Sequence, residues 1–148
     1  MSEMRPYRVL IVDDHADMRQ LIAFTLKRSE LPLVVTMATN GIEALVRAQA
    51  DCPNIVLLDV MMPGMNGFEV CAQLRSNPRT ASACIIMLTA LTDADAREEG
   101  RRVGADSFMT KPFRWTDLVA RIREAIEQSA GEIVLPDEPA EVELVAAR

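Results

Sequence analysis

The chain alternates five times between a short, continuous apolar run and a stretch whose apolar residues recur at helical spacing. The runs fall at 7–12 (YRVLIV), 33–38 (LVVTMA), 54–58 (NIVLL), 83–88 (ACIIML) and 106–109 (DSFM). Strands that are apolar throughout belong to sheets buried on both faces, and a helix between each pair of strands makes such a sheet parallel. Helical spacing shows in Met18, Leu21, Ile22 and Leu26, in Phe68, Cys71 and Leu74, and in Leu118, Ile122, Ala125 and Ile126. Five units are too few to close an eight-stranded barrel, so the expected architecture is α/β, an open, doubly wound sandwich.

In an open parallel sheet, ligands bind beyond the carboxyl ends of the strands, where strand order reverses. In the flavodoxin-like order 2-1-3-4-5 of a (βα)5 sandwich, the first and third strands flank that point. Asp13 and Asp14 follow the first strand, Asp59 the third, Thr89 the fourth, and Lys111-Pro112 comes after SFMT of the fifth. The topology should therefore gather three carboxylates, a hydroxyl and an ammonium on one edge. Crowded carboxylates repel unless a cation intervenes, and hard oxygen donors suit Mg²⁺ better than zinc. Lys111 offers a compact charge for a phosphoryl oxygen, and Thr89 offers a hydroxyl beside Ala90, which is small enough to leave the site open. Pro112 fixes the backbone after Lys111 and is a candidate for a cis bond. The sole histidine, His15, reads as a surface residue at a helix start rather than a ligand.

Helix boundaries are also legible. Asn40-Gly41 and Asn66-Gly67 open the second and third helices, and Ser76-Asn77-Pro78 stops the third. Thr92 and Asp93 are N-cap residues for the fourth. That helix, DADAREEGRRVGA, has few large apolar residues, and Gly100 in its interior costs about 1 kcal/mol relative to alanine. A helix so poorly specified is a candidate for movement.

Charge and length bound the rest. The net charge is −6, of which residues 129–148 supply −4 through five acidic residues against Arg148, leaving −2 to the body. Such a body has no basic footprint for nucleic acid, so direct binding to DNA or RNA is not expected. No apolar stretch approaches the roughly 18–20 residues of a membrane span. The N-terminus lacks a signal-peptide pattern, and the expected location is cytoplasmic. Cys52, Cys71 and Cys84 have no metal-like spacing. They read as reduced structural thiols, with Cys84 in a buried strand and Cys71 on an apolar helix face. Two units are expected: a domain over 1–128, and an acidic C-terminal tail or linker over 129–148 with no repeat or second domain.

The motifs VDDHADMR, LLDVMMPGMNGFEV, MLTA and GADSFMTKPF, with the spacing among them, resemble the receiver domain of bacterial two-component response regulators over roughly residues 7–128. The stretch from Asp59 through Pro63, Gly64 and Gly67 is the most specific piece. The resemblance implies that Asp59 is the phosphoacceptor and takes a phosphoryl group from a sensor histidine kinase, a phosphotransfer protein of a phosphorelay, or a small phosphodonor. It implies Mg²⁺ bound by Asp14 directly, by Asp13 largely through water, by Asp59, and by the Met61 backbone carbonyl. Thr89 and Lys111 would hold the phosphoryl oxygens, and Thr89 and Phe108 would form the switch, with phenylalanine where tyrosine is often found. The apolar residues Met61 and Leu91 border the site and should hinder an attacking water. The helix in KPFRWTDLVARIRE resembles that of receivers joined to winged-helix factors. It implies a phosphorylation-linked homodimer through the face made by the fourth helix, fifth strand and fifth helix.

Three other readings fit less well. A phosphorylation-independent docking module usually loses an acidic or lysine position, and none is lost here. A phosphatase of the haloacid dehalogenase type expects Asp-x-Asp after the first strand, where this chain has adjacent aspartates. A flavin carrier expects a phosphate-cradling Ser/Thr/Gly loop there, and none is present.

Overall fold

In this computed structural model, residues 5–91 and 94–132 are described. Strands and helices alternate without interruption: β1 (Tyr7–Val12), α1 (Ala16–Arg28), β2 (Leu33–Ala38), α2 (Gly41–Asp51), β3 (Ile55–Asp59), α3 (Gly67–Ser76), β4 (Cys84–Thr89), α4 (Ala94–Val103), β5 (Ser107–Thr110) and α5 (Trp115–Glu132). All neighbouring strands pair in parallel, in the order β2-β1-β3-β4-β5. The expected fold is the one observed.

The alternation of side chains along each strand divides the core into two layers. Leu10, Val12, Val56, Leu58, Ile85 and Met87 face Ala44 and Ala48 of α2 and Val70, Cys71 and Leu74 of α3. Their neighbours Val9, Ile11, Ile55, Leu57, Ile86 and Leu88 face Ile22 and Leu26 of α1 and Leu118, Ile122 and Ala125 of α5. Every residue of β3 is buried, as a central strand covered on both sides requires.

β3, β4 and β5 each begin one residue later than the sequence predicts. Side chains explain two of these shifts. Asn54 accepts from the Arg8 N–H through its own Oδ1 at 2.7 Å. Asp106 Oδ2 accepts from the Ile85 N–H at 2.8 Å. In each case a carboxamide or carboxylate does at the strand entrance what a backbone carbonyl does further along. Cys84, as the first residue of β4, is only half-buried rather than buried, whereas Cys71 is fully buried and its thiol is pushed up to about 11 by that burial.

The helix boundaries follow local chemistry. Asn40 accepts from the Glu43 N–H, and Asn66 and Glu69 form a reciprocal capping box at the start of α3. Asn77, pinned by Pro78, has the extended φ −107, ψ 122 that ends α3. The proposed caps Thr92 and Asp93 lie outside the described residues. α4 buries only Ala96 and Gly100. Its glycine has a packing reason: a Cβ at Gly100 would run into the Phe108 ring. α5 continues to Glu132, past the boundary expected at 128, because Ser129 extends the buried stripe of Leu118, Ile122 and Ala125 by one turn. Residues 133–148 lie outside the described part. Among the described residues, no helix is long and apolar enough to cross a membrane.

Arg75 ties together the ends of α3, β4 and α4. Its guanidinium donates to the carbonyls of Ala81 and Ala83 at 2.6 Å, to that of Gly104 at 2.9 and 2.8 Å, and to Asp106 Oδ2 at 2.8 Å. Removing it takes one donor from the Ala81, Ala83 and Gly104 carbonyls and the ion-pair partner from Asp106, whose Oδ2 keeps the Ile85 N–H. Arg75→Ala is expected to cost about 2–3 kcal/mol, read from the urea midpoint; a loss below half of that would show that water replaces the guanidinium.

Candidate functional site

The register of the sheet sets the site. Val12 pairs with Leu58, so the residue after β1, Asp13, comes level with Asp59, the last residue of β3. Thr89 pairs with Thr110, which brings Lys111 back toward the same edge. The Lys111 N–H donates to the Thr89 carbonyl at 2.7 Å, and the Lys111–Pro112 bond is cis. α3 can start against β3 only because residue 67 is glycine: a Cβ there would strike the Asp59 carbonyl and Val60 Cα.

Lys111 Nζ lies 3.2 Å from Asp13 Oδ2 and 3.4 Å from Asp59 Oδ1. Both carboxylates are almost fully buried, at 1% and 3% exposure. The other oxygen of Asp13 accepts from the His15 N–H at 2.9 Å, and the Asp13 carbonyl accepts from the Arg19 guanidinium at 2.7 Å. The Met61 N–H donates to Asp59 Oδ1 at 3.4 Å, while the Met61 side chain stands exposed. Asp14 is half-buried, and its Oδ1 is shut off from solvent without a hydrogen-bond partner. Donor atoms of Asp13, Asp14, His15 and Asp59 all lie within 4.8 Å of one another.

This donor set fits a hard divalent cation. Three carboxylates with an orphaned oxygen aimed among them match the all-oxygen coordination that Mg²⁺ requires, with room left for water. Burial pushes the Asp59 carboxyl above its ordinary range; Lys111 pulls it back and Asp13 adds to the rise.

Thr89 is buried, and its hydroxyl oxygen accepts from the Leu91 N–H at 3.0 Å. Ala90 is exposed beside it. Phe108 sits half-buried under α4, with the Arg97 guanidinium 5.7 Å from its ring centre. The sequence thus brings Asp13, Asp14, Asp59 and Lys111 into one cluster, while Thr89 and Ala90 border it and Phe108 lies farther along β5. His15 is the exposed N-cap residue of α1. Sequence reasoning missed Arg19, and also Arg97, which donates to Thr110 Oγ1 at 3.2 Å. Arg121, which the motif KPFRWTDLVARIRE carries on the last helix, donates to Ser107 Oγ and to the Phe108 carbonyl, contacts that the motif does not announce. These are long side chains reaching across elements, and no periodicity announces them.

The chain belongs to the response regulator receiver domain family, whose model matches residues 9–123. It is 39% identical over 127 residues to the probable transcriptional regulator ycf27 of Cyanophora paradoxa, covering 86% of this chain and 51% of that protein. It is 37% identical over 146 residues to the DNA-binding response regulator MtrA of Mycobacterium tuberculosis, covering 99% of this chain and 59% of MtrA. The chain therefore spans about half to three-fifths of the curated relatives it matches. Among solved structures it is similar to the chemotaxis protein CheY4 of Vibrio cholerae, with a TM-score of 0.76, 33% identity, and coverage of 81% of this chain and 98% of CheY4. It is also similar to a BeF3-activated DrrB receiver domain, with a TM-score of 0.74 and 27% identity over 82% of this chain and 98% of that one.

A carboxyl whose pKa is raised by folding binds its proton more tightly in the folded than in the unfolded chain, so stability falls as pH rises through that raised pKa. Asp59→Asn removes the charge and keeps the shape. Without divalent ions, the variant is expected to have a higher urea midpoint than the parent at pH 7, and the gap should close as the pH falls and Asp59 protonates. A lower midpoint for the variant at pH 7 would mean that the Lys111 pair outweighs burial.

Proposed function

We propose that this chain is a phosphoacceptor receiver: Asp59 takes a phosphoryl group from a histidine kinase, a phosphotransfer protein or a small phosphodonor. The observation that carries the reading is Lys111 Nζ within 3.4 Å of Asp59 and 3.2 Å of Asp13 on the binding edge of the sheet. A carboxylate can act as the nucleophile toward phosphorus. Phosphoryl transfer needs mainly positioning and charge neutralisation, and Lys111 provides both for a phosphoryl oxygen. Asp13, Asp14, Asp59 and the Met61 carbonyl would hold Mg²⁺, which when bound supplies the remaining positive charge. The domain catalyses only its own phosphorylation and dephosphorylation, and is an enzyme in no other sense. We place it in the cytoplasm.

Phosphorylation gives the Thr89 hydroxyl a new acceptor in place of its local role as acceptor from Leu91. Movement of Thr89 draws on β5, because Lys111 bonds to the Thr89 carbonyl. Phe108, whose ring sits against Gly100 under α4, would then leave that seat. Inverting a 1:99 population takes about 5.5 kcal/mol, within reach of several charge-assisted bonds to a phosphoryl group. The face of α4, β5 and α5 is the proposed output and homodimer surface. The DNA binding named for MtrA is not carried over to this chain, whose residues 1–128 have a net charge of −2.

Intact-mass spectrometry after incubation with acetyl phosphate and Mg²⁺ tests the acceptor. One phosphoryl adduct is expected, dependent on Mg²⁺ and absent from Asp59→Asn. No adduct, with beryllofluoride also failing to bind, would favour a phosphorylation-independent docking module, and an adduct on the variant would name another aspartate. Followed over time, the adduct is expected to last minutes or longer, since Met61 and Leu91 offer an attacking water no polar partner; a half-life of seconds would reject that role for them. Light scattering on the same samples is expected to show a dimer, and an unchanged monomer mass would reject the dimer surface.

A further inference from the structure

We infer that Arg97 is a latch on the unphosphorylated state: it clamps Phe108 and Thr110 of β5 to α4, and phosphorylation of Asp59 has to open that clamp. The inference rests on reading Asp59 as the phosphoacceptor and assigns that reaction a positioning residue on a distant helix.

Phe108 and Thr110 stand two apart on β5 and present their side chains to one face of the sheet, while Met109 between them packs in the opposite layer. One turn of α4 meets both. Gly100 lies against the Phe108 ring, where a Cβ would collide with it. Three residues earlier, on the same side of the helix, the Arg97 guanidinium reaches to 5.7 Å from the centre of that ring and donates to Thr110 Oγ1 at 3.2 Å. Of the three arginines of α4, Arg101 and Arg102 pair along the helix with Glu98 and Glu99, and Arg97 reaches across to another element.

The clamp closes on the segment that carries the site. Thr110 pairs with Thr89 and is followed by Lys111, whose N–H bonds to the Thr89 carbonyl and whose ammonium lies against Asp13 and Asp59. A Thr89 that turns toward a phosphoryl group therefore pulls on the stretch of β5 that Arg97 grips. Because α4 buries only Ala96 and Gly100, this polar grip is a large part of what fixes the helix to β5. Arg97 is exposed, so on release its guanidinium passes to water and leaves no buried charge behind. A contact made in only one of two states biases the equilibrium by the whole of its strength. A hydrogen bond and an exposed cation–π contact together bias it roughly three- to tenfold against the phosphorylated state.

The test titrates the full chain with beryllofluoride and Mg²⁺ by calorimetry and takes the urea midpoint of each variant without ligand. Arg97→Met keeps the stem and removes the guanidinium; Thr110→Val removes only the acceptor hydroxyl. Arg97→Met is expected to bind beryllofluoride roughly three- to tenfold more tightly than the wild-type chain while its urea midpoint falls. Thr110→Val is expected to gain less in the same direction, and to add nothing once Arg97 is already methionine. The opposite signs separate a latch from plain structural support, whose loss lowers the midpoint and the affinity together. Unchanged or weaker binding by Arg97→Met, or a Thr110→Val gain that persists in full without the guanidinium, would overturn the inference while wild-type binding left the phosphoacceptor reading standing. If the wild-type chain neither bound beryllofluoride nor took a phosphoryl group from acetyl phosphate, that reading would fall and the latch with it.

Discussion

One ammonium group holds this site together. Asp13 follows β1 and Asp59 ends the fully buried neighbouring strand β3, and two carboxylates with almost no exposure would repel each other strongly in such surroundings. Lys111 stands between them at 3.2 and 3.4 Å and offsets part of that repulsion. Burial nevertheless keeps the Asp59 carboxyl pushed upward, and Asp13 adds to that rise. The residual imbalance suits the proposed chemistry. A site already neutralised by its own side chains would have little reason to take up a divalent cation or to gain from binding a phosphoryl group between cations.

The same lysine joins the site to the rest of the sheet. Its backbone N–H bonds to the Thr89 carbonyl, so the ends of β4 and β5 move together or not at all. Three residues back along β5, Phe108 lies under α4, an element that buries only Ala96 and Gly100. The weakest-packed helix therefore covers the aromatic side chain nearest to the proposed switch. At its other end, Arg75 fastens the Gly104 carbonyl to α3 and to the start of β4. Restraint at the C-terminal end and thin packing along its length would let α4 pivot rather than slide.

Much of this was legible before any coordinates. The sheet order and the edge where Asp13, Asp14, Asp59 and Lys111 meet follow from periodicity and from where each apolar run stops, because a parallel sheet aligns its strand ends. The caps at Asn40 and Asn66 and the stop at Asn77-Pro78 were equally readable, since each is local chemistry over three or four residues. Illegible were contacts that depend on long side chains crossing between elements. Nothing in the spacing shows that Arg75 reaches Ala81, Ala83 and Gly104, or that Asn54 and Asp106 substitute side-chain oxygens for backbone ones and so shift two strand starts by a residue. Gly100 was read as a propensity defect, when its role is to admit a ring from another element.

Gly100 bears on the proposed switch. A glycine in a helix interior weakens the helix by about 1 kcal/mol relative to alanine. At position 100 the missing Cβ is also the space that lets Phe108 lie against α4. Destabilisation of the helix and accommodation of the ring thus come from one substitution, and neither can be tuned without the other. The Arg97 guanidinium lies 5.7 Å from the centre of the same ring and also bonds to Thr110 on β5, so the aromatic is held from α4 by contacts that can be broken singly. A ring seated by one glycine and one guanidinium needs less free energy to displace than one locked into the core, and the phosphoryl group proposed for Asp59 would have only a few charge-assisted bonds with which to supply it.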